Sequence, residues 1–248
     1  MNGSALRTAY QTYDALEMAM RATLREIGVL LAFVIIFPLG FLFFLGQIAT
    51  PSLRAQVLVG SVMMEMALLN INVVAQGIGQ DKLSKLYDLW VSFPISPVVY
   101  VASLALSVLP FSLGSALLTL AAGAVYFHLN LIPLLLPLLL GLLLVWASTI
   151  GIGFLIGVYG RSPRAINSNA QFVGIVMTFF APIFYPVSVL PLPLQYVAYA
   201  WPLTWGSSLL VSIIQGAANQ VLLASLALGA YAALWLVLIG TGLRWRQV

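Results

Sequence analysis

The chain has no cysteine, one histidine, two lysines and little charge of either sign. Without cysteine there can be no disulfide, thiolate metal site or thiol nucleophile. A lone His128 excludes a two-histidine metal site. Lys82 and Lys85 follow Asp81 and Ser84, not a glycine, so a G-x-x-x-x-G-K-[ST] phosphate loop is impossible. Gly206-Ser207-Ser208 does not fit a serine-hydrolase elbow set near a histidine within the membrane. Charged residues are 6% of the 248, against about 25% in a soluble domain. Intrinsic catalysis in water has little here to work with.

What the chain does have is apolar length. Six runs are long enough to cross a bilayer: Ile27–Gln47, Gln56–Gly79, Val98–Phe127, Pro133–Val158, Ile166–Val187 and Val221–Leu243. Basic residues alternate with them. Arg7, Arg21 and Arg25 come first, then Lys82 and Lys85, then Arg161 and Arg164, then Arg244 and Arg246. Only Arg54 breaks the alternation. Lys and Arg gather in cytoplasmic loops, so the pattern predicts an all-α integral membrane protein with six spans and both termini cytoplasmic. The net charge of +4 is spread over four short patches facing lipid headgroups and does not form a nucleic-acid footprint.

Two segments fall outside the six spans. Over residues 4–26, Arg7, Gln11, Asp14, Arg21 and Arg25 share one helical face and Leu6, Tyr13, Leu16, Met20 and Leu24 the other. That predicts an amphipathic helix in the membrane interface and not a cleavable signal, a solvated helical tail being the alternative. Over residues 186–215, Pro186, Pro191, Pro193 and Pro202 interrupt an apolar stretch, and no lipid-facing helix tolerates that density. A re-entrant segment of short helices before the last span is expected, ringed by Tyr185, Tyr196, Tyr199, Trp201 and Trp205. A full span ending near Gln215 is the rival. The whole of 1–248 reads as one membrane domain.

Polar residues inside the spans are the functional candidates. Glu65 is an acid at depth, and such charge is costly unless neutralised or paired. Ser61, Glu65, Asn72 and Gln76 align along the second span, and Asn167, Gln171, Gly174 and Thr178 along the fifth. Stripes like these face other helices or a wet pathway, and both readings stay open. Residues 80–97 hold the densest charge between spans. Asp81–Lys85 and Lys85–Asp88 have helical spacing, Leu86, Leu89, Trp90 and Phe93 give an apolar side, and Pro94 ends it. A partner-docking helix in the cytoplasm fits that combination.

In this order the features resemble the permease subunit of the type-2 ATP-binding-cassette (ABC-2) exporter family. The match rests on the amphipathic start, Phe93-Pro94-Ile95-Ser96 after the docking helix, and Phe180-Ala181-Pro182-Ile183-Phe184-Tyr185-Pro186. Leu190-Pro191 and Trp201-Pro202-Leu203-Thr204 complete it. The resemblance implies a multi-pass subunit of the cell membrane that pairs with a second permease copy as a homodimer. Two cytoplasmic ATPase subunits would drive it, ATP and Mg being held by them and no cofactor by this chain. It implies that Asp81, Lys82, Leu83, Lys85, Leu86, Tyr87, Asp88, Leu89 and Trp90 form the coupling helix. First and fifth spans are the usual contact between copies, making Gly174 and Thr178 candidate interface positions. The family often has Gly-Thr before the coupling leucines and a basic residue after Pro-x-Ser, where this chain has Gln80–Lys85 and Pro97.

Relatives export drugs, lipids, lipid-linked glycans and cell-surface polymers, and the apolar spans here suit a hydrophobic or amphipathic cargo. The alternative from another class is an ion-gradient-driven transporter or channel with Glu65 as proton carrier. A membrane anchor for a soluble partner would explain 81–93 but leaves the two polar stripes without a purpose.

Overall fold

The computed structural model describes residues 27–88 and 97–240, with side chains of the first helix described from Ile36. The amphipathic helix expected at 4–26, Leu89 and Trp90 of the docking segment, and the terminal Arg244 and Arg246 lie outside the described residues.

Every regular element described is helical. In chain order these are α1 (Ile27–Ile48), α2 (Arg54–Leu83), α3 (Pro97–Phe127), α4 (Leu135–Tyr159) and α5 (Pro163–Phe180). A short α6 (Leu192–Tyr199) follows, then α7 (Pro202–Gln215) and α8 (Ala218–Gly240). Prolines punctuate the elements where their missing N–H costs nothing. Pro51 and Pro133 open 3₁₀ turns ahead of α2 and α4, and Pro163 and Pro202 stand in the first turns of α5 and α7. Pro110 sits inside a continuous α3.

Among the described residues, four helical stretches are long and apolar enough to cross a membrane: Pro51–Leu83, Val98–Phe127, Ile132–Tyr159 and Ala218–Gly240. There are five if α6 and α7 count as one. Six spans were expected. Among them α5 is shorter than expected: it stops at Phe180, not Val187. Pro182 follows at once, and 18 residues reach only about 27 Å. Arg164, Asn167, Asn169 and Gln171 also lower its hydropathy. Helix α1, Ile27–Ile48, has 22 residues, with its side chains described only from Ile36.

The expected interruption at 186–215 is a sharp one: α6 and α7 meet at 93°. Three side-chain hydrogen bonds land on carbonyls at the bend. Thr204 Oγ1 donates to Ala198 O (2.6 Å), Trp205 Nε1 to Tyr199 O (2.8 Å) and Tyr231 Oη to Ala200 O (2.8 Å). From the bend α7 starts beside Met63 and Val145, approached through Gly206, and ends against Gly141 through Leu210 and Ile213. Gly216, at φ 74, then turns the chain directly into α8.

Helix α2 is the hub, in van der Waals or hydrogen-bonding contact with α3, α4, α5 and α7, and its side chains are buried nearly throughout. Bare glycine faces permit the close approaches. A Cβ at Gly153 would come 2.7 Å from the Ile71 carbonyl oxygen, and one at Gly157 2.7 Å from Ile78. On the other side of α4, Gly151 receives the Trp235 indole, whose Nε1 donates to Ser148 O at 2.7 Å. Small residues at helix contacts take the place of the hydrophobic effect, which lipid removes.

Replacing Gly153 by Leu has no room to relax, since the obstructing atom is backbone. We expect it to lower the thermal midpoint of the solubilised protein, with a cost of about 1–3 kcal/mol. Gly114→Ala, where a Cβ meets nothing within 4 Å, should leave the midpoint unchanged or slightly raised. Equal melting of both variants would contradict the α2–α4 packing.

Candidate functional site

Two regions carry the chain's chemistry, one at an end of the bundle and one along its axis. The first lies where α2 and α4 finish and α3 and α5 begin. All described basic residues except Arg54 are here, so it is called the basic end.

A continuous helix was expected over 81–93, and the structure corrects this. Asp81, Lys82 and Leu83 are the last turn of α2; Ser84 and Lys85 form a turn, with Lys85 in the left-handed region at φ 60. Residues 86–88 resume as helix. The local charge pairs assumed by the helical spacing give way to longer-range ties. Asp81 Oδ2 accepts from the Tyr100 hydroxyl of α3 at 2.7 Å. Lys82 Nζ donates to Val158 O (2.7 Å) and Gly160 O (3.1 Å), the free carbonyls at the end of α4. A cation there also suits the helix dipole.

Tyr87 locks the returning segment in place. It is 1% exposed, its ring meets Tyr100 edge-on at 6.1 Å, and Lys82 Nζ lies 5.4 Å from its centroid. Burial, with Asp88 adding to it, pushes the Tyr87 phenol up to about 12, so it is neutral at physiological pH. Leu83 is 66% exposed, and Leu86, Lys85 and Asp88 are exposed with it. The turn thus presents two leucines flanked by charge on a base fastened to α2, α3 and α4.

The second region is the polar stripe of α2. Its flanks show which way it faces. Leu58 and Gly77 meet α3 through Gly123 and Leu104, while Leu68 and Gly79 meet α5 through Gly174 and Ile166. The stripe therefore faces the seam between α3 and α5. Glu65, 2% exposed, leans to the α3 side, where Thr119 Oγ1 donates to its Oε2 at 2.8 Å. Its Oε1 is buried with no hydrogen-bond partner in the structure. Towards the basic end, Gln76 Nε2 donates to Asn167 Oδ1 of α5 (3.0 Å), and Asn72 lies beside Gly174. That half of the seam is open: Asn72 and Gln76 are half-buried, Asn167 and Gln171 exposed.

Not every residue on the two stripes belongs to this seam. Ser61 bonds its own helix at Val57 O, and Thr178 bonds Gly174 O. Gly174 and Thr178, expected at a contact between copies, are buried, and Gly174 lies against α2. The outward face of α5 is Phe172, Ile175 and Phe179.

Two polar residues of α2 escaped the stripe reading because they point elsewhere. Asn70 Nδ2 donates to Thr149 Oγ1 of α4 at 2.9 Å. Gln56 Nε2 donates to Ile183 O (2.8 Å) and to Ser207 Oγ of α7 (2.9 Å), tying the turn after α5 to the start of α2. The only signal for them in the sequence was polarity within an apolar run. No three His, Asp or Glu side chains converge among the described residues, and so none form a metal cradle there.

The bundle thus carries a polar seam along α2 and, at one end, a leucine-bearing turn fastened to three helices. The profile of the ABC-2 family transporter proteins matches residues 49–240, which takes in α2 to α8. No curated protein matches the chain. The chain belongs to the ABC-2 family of transporter proteins.

Proposed function

We propose that this ABC-2 protein is the transmembrane subunit of an ATP-driven exporter, worked from the cytoplasm through residues 81–90. The carrying observation is the turn at 84–88. Leu83 and Leu86 stand exposed on a base held by Asp81–Tyr100, Lys82–Val158 and the Tyr87–Tyr100 contact. Exposed leucines ringed by Lys85 and Asp88 suit a groove on a soluble partner, and the rigid base turns the partner's closure into movement of α2, α3 and α4. ABC ATPase subunits, two per complex, are that partner.

The same reading has six spans, with α1 and α5 completing the set and both termini in the cytoplasm. The basic end then lies inside, and α6 and α7 are a re-entrant pair entering from outside. Two copies of this chain enclose the pathway. The outward face of α5 (Phe172, Ile175, Phe179) and that of α1 (Ile36, Phe44) supply the contact between copies. The open half of the α2–α5 seam (Asn72, Gln76, Asn167, Gln171) lines the pathway. With only this short polar lining between apolar walls, the cargo is hydrophobic or amphipathic: a drug, a lipid or a lipid-linked glycan.

The ion-coupled alternative rests on Glu65 and its unpaired Oε1. The Thr119 bond and the burial of that carboxylate support a structural role within the α2–α3 contact.

Three outcomes follow. Because the chain has no cysteine, single replacements report sidedness cleanly. An impermeant maleimide on intact cells should label Ser52→Cys and leave Ser84→Cys untouched until the cells are opened; the reverse would overturn the orientation. Leu83→Glu with Leu86→Glu should cut transport-coupled ATP turnover of the assembled complex roughly tenfold, the effect of about 1.4 kcal/mol at a docking contact. Turnover at the normal level would refute docking through this turn. Glu65→Gln keeps an acceptor for Thr119 and should hold ATP turnover within about twofold of normal. Loss of transport with ATP turnover intact would favour the ion-coupled reading.

A further inference from the structure

At the end of the bundle opposite the basic one, α3 and α4 diverge and leave a groove of about 600 Å³ beneath their connecting turn. Its walls are Leu117, Ala121 and Ala124 of α3 and Leu135 of α4, and its floor is Leu120 and Leu138, the latter 1% exposed. The volume lies within the roughly 300–1,000 Å³ of small-molecule sites. The rim is open, with Ile132 85% exposed and Val125 also exposed. Both walls belong to helices that meet the length and hydropathy of membrane spans. The open side therefore meets lipid tails, not water.

The lip is polar. His128 and Asn130 line the groove at the helix end, the depth of the headgroups. His128 ends α3 in the left-handed region at φ 55, with Leu129 N–H closing on Ala124 O at 2.9 Å. Glycine or asparagine makes such a turn more readily, so the backbone gives no reason for an imidazole there. No Asp or Glu occurs between Leu117 and Leu138 to repel an anionic group. A long apolar slot ending in two hydrogen-bonding side chains matches an amphiphile with one inserted tail.

We propose that this groove binds one acyl chain of a membrane phospholipid, with His128 and Asn130 hydrogen-bonded to its phosphate. The site involves neither the seam nor the docking turn, and it stands whether or not the transport reading does.

The test uses the full-length protein in vesicles of phosphatidylethanolamine and phosphatidylglycerol, doped with a phospholipid carrying a diazirine on its acyl chain. After illumination, adducts are mapped by mass spectrometry. Adducts should concentrate in residues 117–138 relative to the exposed face of α8 at Leu222, Leu226 and Leu236. Ala124→Trp and Ala121→Trp, which fill the groove, should each lower that labelling roughly tenfold. His128→Gly keeps the left-handed turn but removes the hydrogen-bonding side chain, and should weaken labelling by the phospholipid while sparing that by a diazirine fatty acyl methyl ester, which has no phosphate. Labelling spread evenly over α3, α4 and α8 in the unaltered protein would overturn the proposal, as would labelling unchanged in folded filled-groove variants. The distribution in the unaltered protein decides the matter even where a tryptophan variant fails to fold.

Discussion

In a bilayer a polar group without a partner has no water to fall back on, and most of this architecture follows from how α2 meets that constraint. The helix is 30 residues long and its polar side chains are distributed among its neighbours. Gln56 ties it to the turn after α5 and to α7, Glu65 to α3, Asn70 to α4 and Gln76 to α5. Each bond is modest, of order 1 kcal/mol in membrane bundles, but each specifies a neighbour. Van der Waals packing alone would let apolar helices rotate and slide. The hydrogen bonds set the azimuth of α2 and its depth against each partner.

Close packing then follows the same helix. Gly153 and Gly157 bring α4 against Ile71 and Ile78, and Gly123 and Gly60 admit Leu58 and Phe184. With α2 so enclosed, the open parts of the molecule are few and placed at its ends. One is the basic-end half of the seam, where Gln76 and Asn167 meet at the surface. Another is the turn carrying Leu83 and Leu86. They are joined mechanically, because Asp81 and Lys82 sit on the same helix as Gln76, fewer than two turns further on. In the proposed mechanism a push on the turn would reach the seam along that one helix. That continuity is what the proposed ATPase-driven mechanism would use.

Much of the site was legible in the sequence, and what was not has identifiable reasons. Glu65 and Gln76 stood out because ionisable and amide groups are rare in apolar runs, and both make contacts across helices. Their partners were not legible, since an azimuth shared on α2 says nothing of which helix stands on either side. Thr119 and Thr149 look like ordinary span residues until their neighbours are known. The segment proposed to dock was picked out by its leucines and charges, but the helix expected there is broken at Ser84 and Lys85. Asp81 and Lys85 have good helical spacing, yet Tyr100 and the end of α4 offered Asp81 and Lys82 better partners, and Lys85 took the left-handed turn. The resemblance put Gly174 at a contact between copies because first and fifth spans meet there in the family; within this chain it packs against α2.

The sequence by itself determined the solvent of this protein. So little charge, such long apolar runs and basic groups spaced between them suit only a lipid-embedded helical bundle, because apolar length and charge placement are local properties of the chain. It also marked the break at 186–215, since a proline forbids a helical hydrogen bond wherever it stands. The tertiary structure decided which helix is central, where the polar stripe opens, that the chain bends by 93° between α6 and α7, and that α3 and α4 part to leave a groove. Those features depend on pairings between residues up to 151 positions apart, as Gln56 and Ser207 are. Only the packed bundle brings such residues within reach of each other.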